Sequence, residues 1–296
     1  DMAAESGNAF GLTKRGLLML CKNEHTLDEE GRAAQHARDM DVPAEVLDAK
    51  QTSALDPGIT MNIAGAVHYP MDCHLTPQAF MRTLQGLCET AGVSFIWNTP
   101  IESLQTEGSS IRAAMTSTEA VEGDEFVLCL GSWSSALSQS MGLRLPMQAG
   151  KGYSLTLATP RQLPQLCSIL TEARVAVTPM EGGTLRFGGT MEISGMSESI
   201  NPRRVQGIIK AASRYFPEFT SKDFAGVKPW CGLRPCAPDG LPYLGRTQRF
   251  TNLCVATGHA MMGLSLGPVT GRIVAEILDG EQPEINLPLL SPDRYA

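Results

Sequence analysis

The chain has 296 residues, 43% of them hydrophobic, enough for one large core or for two domains sharing an interface. Its formal net charge of -7, with a pI near 5.3 and no basic block or arginine-rich arm, argues against a nucleic-acid partner. No run approaches the roughly 18 apolar residues that span a bilayer, and no secretory leader is visible at the start.

Eight cysteines (Cys21, Cys73, Cys88, Cys129, Cys167, Cys231, Cys236 and Cys254) are scattered, mostly in apolar runs. Reduced, buried thiols are therefore expected rather than disulfides. Cys231 and Cys236 have no further Cys or His at metal-ligand spacing, so no metal site is expected. The sequence opens at Asp1 without a start signal, as a chain beginning partway through a longer one does.

In chain order, residues 10–21 read as a strand or strand pair. Thr26 and Glu29 fit a capping box for a charged surface helix running to about residue 39. Residues 42–47 and 54–58 read as connectors, and 64–70 as a short strand. Thr76 with Pro77 predicts a helix start, and the apolar spacing of Phe80, Leu84, Leu87, Cys88 and Ala91 carries that helix to Gly92. Residues 93–97 read as a strand and 101–118 as a β-ribbon turning at Gly108 and Ser109. The continuous apolar run 126–130, stopped by Gly131, predicts a strand buried on both faces of a parallel sheet. Gly131-Ser132-Trp133-Ser134 follows at its carboxyl end, where open α/β sheets bind ligands.

From Gly150 the strands alternate. The clearest hairpin joins 175–180 to 184–190 through Gly182 and Gly183. Asn201 and Pro202 open a helix with Val205, Ile208, Ile209, Ala212 and Tyr215 on one face. Arg234 sits in a turn-rich apolar setting, Gly232-Leu233-Arg234-Pro235, where it can grip a carboxylate or phosphate with two prongs. Pro238-Asp239-Gly240-Leu241-Pro242 can only be a tight turn. The apolar strand 252–257 ends in Gly258-His259-Ala260-Met261-Met262-Gly263, a glycine-flanked loop that lets backbone amides approach a flat or anionic ligand. A last helix is expected over 268–278, with Gly280 as its cap.

Two textures alternate. Residues 76–149 and 230–282 read as α/β, residues 1–75 and 150–229 as antiparallel sheet with helices, and 283–296 as a C-terminal tail. The expected fold class is α/β plus α+β, one discontinuous domain threaded through another.

These motifs, in this order, resemble the D-amino acid oxidase superfamily of FAD-dependent oxidoreductases. The resemblance is carried by the run 230–235, by Pro238-Asp239-Gly240-Leu241-Pro242 with Gly245, and by Gly258-His259 with Gly263 and the closing helix. Gly131-Ser132-Trp133-Ser134, Lys151-Gly152-Tyr153 and Arg186-Phe187-Gly188-Gly189-Thr190-Met191-Glu192 match further family strands and turns. The bacterial D-amino acid dehydrogenases are the subgroup most similar.

The resemblance implies a remnant of a Rossmann-like FAD-binding domain interleaved with an antiparallel-sheet substrate domain. It also implies oxidation of an amino acid Cα–N bond, with hydride passing to the flavin. On that reading Arg234 holds the substrate carboxylate, and Tyr153 and Met191 line the substrate pocket. Gly131, Trp133 and Gly232 lie along the FAD. The segment Gly258, His259, Ala260, Met261, Met262, Gly263 and Leu264 turns its amides to the flavin's pyrimidine edge. Alternatives are a glycine- or sarcosine-type oxidase, or an inactive binding module.

The family's GxGxxG turn is not found in the sequence, so an N-terminally shortened form that binds FAD weakly and self-associates through an exposed sheet is expected. The resemblance further implies a cytoplasmic enzyme, peripheral at the inner membrane face, that passes electrons toward a membrane quinone.

Overall fold

The computed structural model describes residues 2–285 and 287–296. Asp1, on which the expectation of a shortened chain partly rests, lies outside them. The chain divides into two compact units. Unit one is Asp1–Val93, Gly152–Met191 and Ser199–Gly232; unit two is Ser94–Lys151, Glu192–Glu198 and Leu233–Ala296.

Unit one is built on an eight-stranded mixed sheet in the order Trp230–Cys236, Gln148–Leu157, Thr184–Ile193, Val175–Met180, Cys167–Leu170, Leu17–Cys21, Gly65–Tyr69, Glu45–Asp48. The first three strands in that order each have part of their length in unit two. The hairpin read from sequence is present, with Met180 opposite Thr184 and Val177 opposite Phe187. Val177, Leu185 and Phe187 point inward and pack with Val205, Ile208, Ala212 and Tyr215 of the helix Pro202–Tyr215. Burying this apolar stripe, rather than intrinsic propensity, is what stabilises the helix. The carboxylate of the buried Asp56 accepts the amides of Gln165 (2.9 Å) and Leu166 (3.0 Å), closing the loop before the strand Cys167–Leu170.

Several local expectations shift. The strand pair over 10–21 is one strand, Leu17–Cys21. The next helix begins at Glu24, not Thr26, because Asn23 is the cap and its side chain accepts the Thr26 amide. The connectors at 42–47 and 54–58 contain a strand, Glu45–Asp48, and a helix, Ala49–Leu55, launched by an Asp48–Gln51 capping box. Thr76 makes no cap bond to its helix, Pro77–Thr90; its hydroxyl accepts the Glu181 amide at 3.0 Å instead. That helix lies in unit one, where Phe80 meets Phe10 edge-on at 5.0 Å. Unit one thus takes in residues 76–93, which the sequence had grouped with 94–149. Residues 93–97 form no ladder among the described residues; Phe95 and Trp97 stack on each other in an exposed loop.

Unit two holds two small sheets. One pairs Ser103–Glu107, Ser110–Met115 and Ala120–Glu122, the expected ribbon plus one strand. The other has the order Tyr243–Arg246, Leu253–Thr257, Phe126–Leu128. Leu253–Thr257 is buried throughout and runs parallel to Phe126–Leu128, in the register Leu253 opposite Phe126 and Val255 opposite Leu128. The expectation that 126–130 is buried on both faces is not met. Only three of its residues are strand, they sit at the sheet edge, and Val127 is exposed. The closing helix spans Gly263–Leu278, starting earlier than expected and carrying Pro268 inside it at the cost of one backbone bond.

All eight cysteines are free thiols, but only Cys21, Cys167 and Cys254 are buried, while Cys73 and Cys129 are exposed. Among the described residues no helix is long and apolar enough to cross a membrane.

The tail folds back on unit two. Arg294 donates Nε to Asp239 Oδ2 at 2.8 Å and Nη2 to Oδ1 at 3.1 Å. These hydrogen bonds hold the Asp239 carboxyl down at about 2, against an ordinary 3.8. A folded-state value below the unfolded one means the pair stabilises fully above about pH 4 and fades as the pH falls toward about 2. The tail is therefore expected to become protease-sensitive over that interval while the final strand stays protected, as limited digestion with pepsin would show.

Candidate active site

The candidate site within unit two starts from the parallel register just described. It sets the carboxyl ends of Phe126–Leu128 and Leu253–Thr257 side by side. After the first comes the turn Gly131–Trp133, where Gly131 has φ 54; after the second comes Gly258 at φ 85. The two turns are tied together. Thr257 Oγ1 donates to Gly131 O at 3.3 Å, and the buried Ser134 hydroxyl donates to Thr257 Oγ1 at 3.2 Å.

Arg234 does not lie in a turn. It is the fifth residue of the strand Trp230–Cys236. The turn chemistry expected at Gly232 and Pro235 is overridden by pairing on both sides. Ser132 Oγ donates to Leu233 O at 3.4 Å, Ala260 N donates to Pro235 O at 2.9 Å, and Cys236 forms an antiparallel bridge with His259. The residues on either side of the arginine are thus held by the two glycine turns. Its guanidinium Nη1 reaches Gly150 O at 3.5 Å. Burial lowers its pKa from the ordinary value, yet an arginine stays charged at neutral pH.

The loop 258–262 is strained where it bends. Ala260 has φ 48, a left-handed conformation rare outside glycine. A Cβ at position 258 would lie 3.1 Å from Tyr243 Cδ2, and the backbone φ there is 85, so both crowding and strain favour glycine. His259 is half-buried and burial lowers its pKa, favouring the neutral ring; its Nε2 lies 2.9 Å from Thr270 Oγ1, tying the loop to the closing helix. Met262 precedes that helix without a side-chain cap, so the first-turn amides at Gly263 and Leu264 have no side chain of the cap residue over them. Met261, Met262 and Leu264 are exposed, and Trp133 is 53% exposed.

The structure brings Arg234, Gly131, Trp133, Gly258, His259, Ala260, Met261, Met262, Gly263 and Leu264 into unit two. Tyr153, Met191 and Gly232 belong to unit one. Tyr153 is 2% exposed within its core, among Leu155 and Phe187, which gives it a packing role in place of the expected substrate contact. Met191 is 41% exposed, directly after Thr190 with φ 63. Gly232 has a local packing reason, since a Cβ there would strike the Trp230 ring at 2.3 Å.

Three residues escaped the sequence reading as partners of this site: Gly150 through its carbonyl, Ser132 through its hydroxyl and Thr257 as the link between turns. Backbone carbonyls carry no sequence signal, and the two hydroxyls look like ordinary turn polars. A further feature is the Lys151–Glu192 pair at 3.7 Å, with the lysine side chain only 2% exposed. Both residues lie in runs that carry the family resemblance, but nothing in those runs pairs them with each other.

A family model described as FAD dependent oxidoreductase (DAO) matches residues 1–277. A D-amino acid dehydrogenase of Bradyrhizobium diazoefficiens is 33% identical over 305 residues, covering 100% of this chain and 70% of its own. One from Paramagnetospirillum magneticum is 32% identical over 300 residues, with 100% and 70% covered. Among solved structures, a glycine oxidase from Geobacillus kaustophilus superposes with a TM-score of 0.90 at 24% identity, covering 100% of this chain and 79% of that one.

Two substitutions separate backbone strain from crowding. Gly131→Ala meets nothing within 4 Å and carries only the cost of its φ, about 1 kcal/mol. Gly258→Ala adds the clash with Tyr243 and is expected to cost about 2–3 kcal/mol. Urea unfolding of the two variants should rank them in that order.

Proposed function

The chain belongs to the DAO family of FAD-dependent oxidoreductases, and on that premise we propose that it oxidises the Cα–N bond of a D-amino acid, giving a 2-oxo acid and ammonia after hydrolysis of the imine. The observation that carries this reading is the placement of Arg234. A cation held by two glycine turns at the carboxyl ends of paired parallel strands suits an amino acid carboxylate.

The residues present fit the flavin half of the cofactor. Gly258 and Gly263 bare the backbone, the loop between them is strained, and the helix that follows carries no side-chain cap. The segment Gly258–Leu264 would hold the flavin's pyrimidine edge, with Gly131 and Trp133 alongside. FAD, when bound, accepts the two electrons and the Cα hydrogen of the substrate.

The protein's part is orientation and electrostatics. Arg234 fixes the carboxylate, and Gly150 O and the strand's neighbours limit how far the guanidinium swings. Its half-buried setting strengthens the pair with a carboxylate by thinning the water around it. No side-chain base is needed when the amine arrives neutral. His259 acts through its backbone and its tie to Thr270, since the buried ring favours the neutral form. In this reading unit two is the cofactor side. Electrons then pass to a quinone at the inner membrane face.

Arg234→Ala should lower kcat/KM for D-alanine, assayed with FAD and an artificial acceptor, by about 30-fold to 150-fold, equivalent to about 2–3 kcal/mol. Arg234→Lys should recover only part, because an ammonium lacks the two-pronged fork. An unchanged KM in Arg234→Ala would remove the carboxylate role. Oxidation of glycine or sarcosine with peroxide release, and none of D-alanine, would move the reading to an oxidase of those substrates.

A further inference from the structure

We propose that Arg294 is a positioning residue for Arg234, so that the C-terminal tail acts as a strap that sets the carboxylate grip. This deepens the proposed function and rests on it. Arg294 lies beyond residues 1–277, which the family model matches.

The contacts are dense. Besides its fork onto Asp239, Arg294 donates Nη2 to Leu241 O at 2.8 Å and Nη1 to Pro242 O at 3.2 Å. Nη1 also reaches Leu290 O and Ser291 O in its own tail, at 3.3 and 3.2 Å. The guanidinium carbon sits 3.9 Å from the centre of the Tyr243 ring. The arginine side chain is 12% exposed and that of Asp239 31%, so the weight of the pair rests on the number and two-pronged geometry of the arginine's bonds rather than on burial of the carboxylate.

What the strap holds leads to Arg234 by two routes. Asp239 belongs to the turn that follows the arginine strand, closed by Gly240 N on Ala237 O at 3.1 Å and by Leu241 N on Asp239 Oδ1 at 3.0 Å. That turn begins one residue after Cys236, the end of the strand. The second route runs through Tyr243, whose hydroxyl donates to Pro146 O at 2.6 Å. Four residues on lies Gly150, whose carbonyl receives the Arg234 guanidinium. One guanidinium therefore grips the turn that follows Arg234's own strand and also packs on the tyrosine that anchors the segment supplying its acceptor. A two-pronged carboxylate contact is lost with displacements of about 1 Å, so loosening either route should weaken substrate binding before it slows chemistry.

The test uses the full chain supplied with FAD. Arg294→Ala is expected to raise KM for D-alanine about tenfold while kcat stays within about twofold. Amide hydrogen exchange should quicken at Gly240, Leu241 and Ala260 but not in Leu253–Thr257. Arg294→Lys should restore less than half of the KM effect, since an ammonium cannot fork. An unchanged KM in a folded variant overturns the proposal. So does exchange that rises evenly across unit two, which is the mark of a merely structural role. Should Arg294→Ala fail to fold, Asp239→Asn carries the same arms, because it removes the charge while keeping the acceptor for the Leu241 amide. If the wild-type protein does not oxidise D-alanine, the exchange arm alone decides: quickening at Ala260 upholds the strap while the substrate reading falls, and no quickening there removes the strap.

Discussion

The geometry of unit two depends on one constraint: the backbone on both sides of Arg234 is hydrogen-bonded to two different glycine turns. Ser132 holds the residue before it and Ala260 the residue after it. An arginine side chain has several rotatable bonds, and its use as a carboxylate fork rests on how little its root can move. The turns are neighbours because Phe126–Leu128 and Leu253–Thr257 run parallel in register, and Thr257 and Ser134 then link them through hydroxyls. A slip of one residue in that register would turn every side chain of the short strand to the other face and part the turns.

Charge in unit two is spent close to this frame. Arg246 meets Glu125 with both prongs, at 2.8 and 3.0 Å, and so pins the segment leading into the edge strand Phe126–Leu128. Arg294 pins the turn after the arginine strand through Asp239. Lys151, one residue past the Gly150 acceptor, is almost wholly buried against Glu192. Of these only Lys151–Glu192 is a buried pair, and removing Glu192 would leave the lysine's charge without this compensating carboxylate.

Legibility followed the range of the interactions. The hairpin Val175–Thr184, the helix Pro202–Tyr215, the strand Leu253–Thr257 and the Pro238–Gly240 turn were readable because period, turn residues and caps are local. The helix Ala49–Leu55 was missed although Asp48 and Gln51 form its capping box, because no apolar period accompanies it. Residues 93–97 looked like a strand by composition, but a strand needs a partner ladder, and none forms there. Tyr153 looked functional beside Lys151 and Gly152, yet its parity along the strand turns it into the core with Leu155 and Leu157.

The sequence by itself determined the two glycine turns, the single arginine between them, the tight turn after it and the interleaving of sheet-rich and α/β segments, because glycine, proline and apolar period act on the backbone where they stand. Only the tertiary structure decided that Arg234 is strand rather than turn, that Gly150 supplies its acceptor and that the tail returns to grip Asp239. Those choices are made by hydrogen bonds between residues 25 to 101 positions apart for the arginine strand, and 55 apart for the tail. No local pattern in a chain records which distant carbonyl or carboxylate will complete a donor.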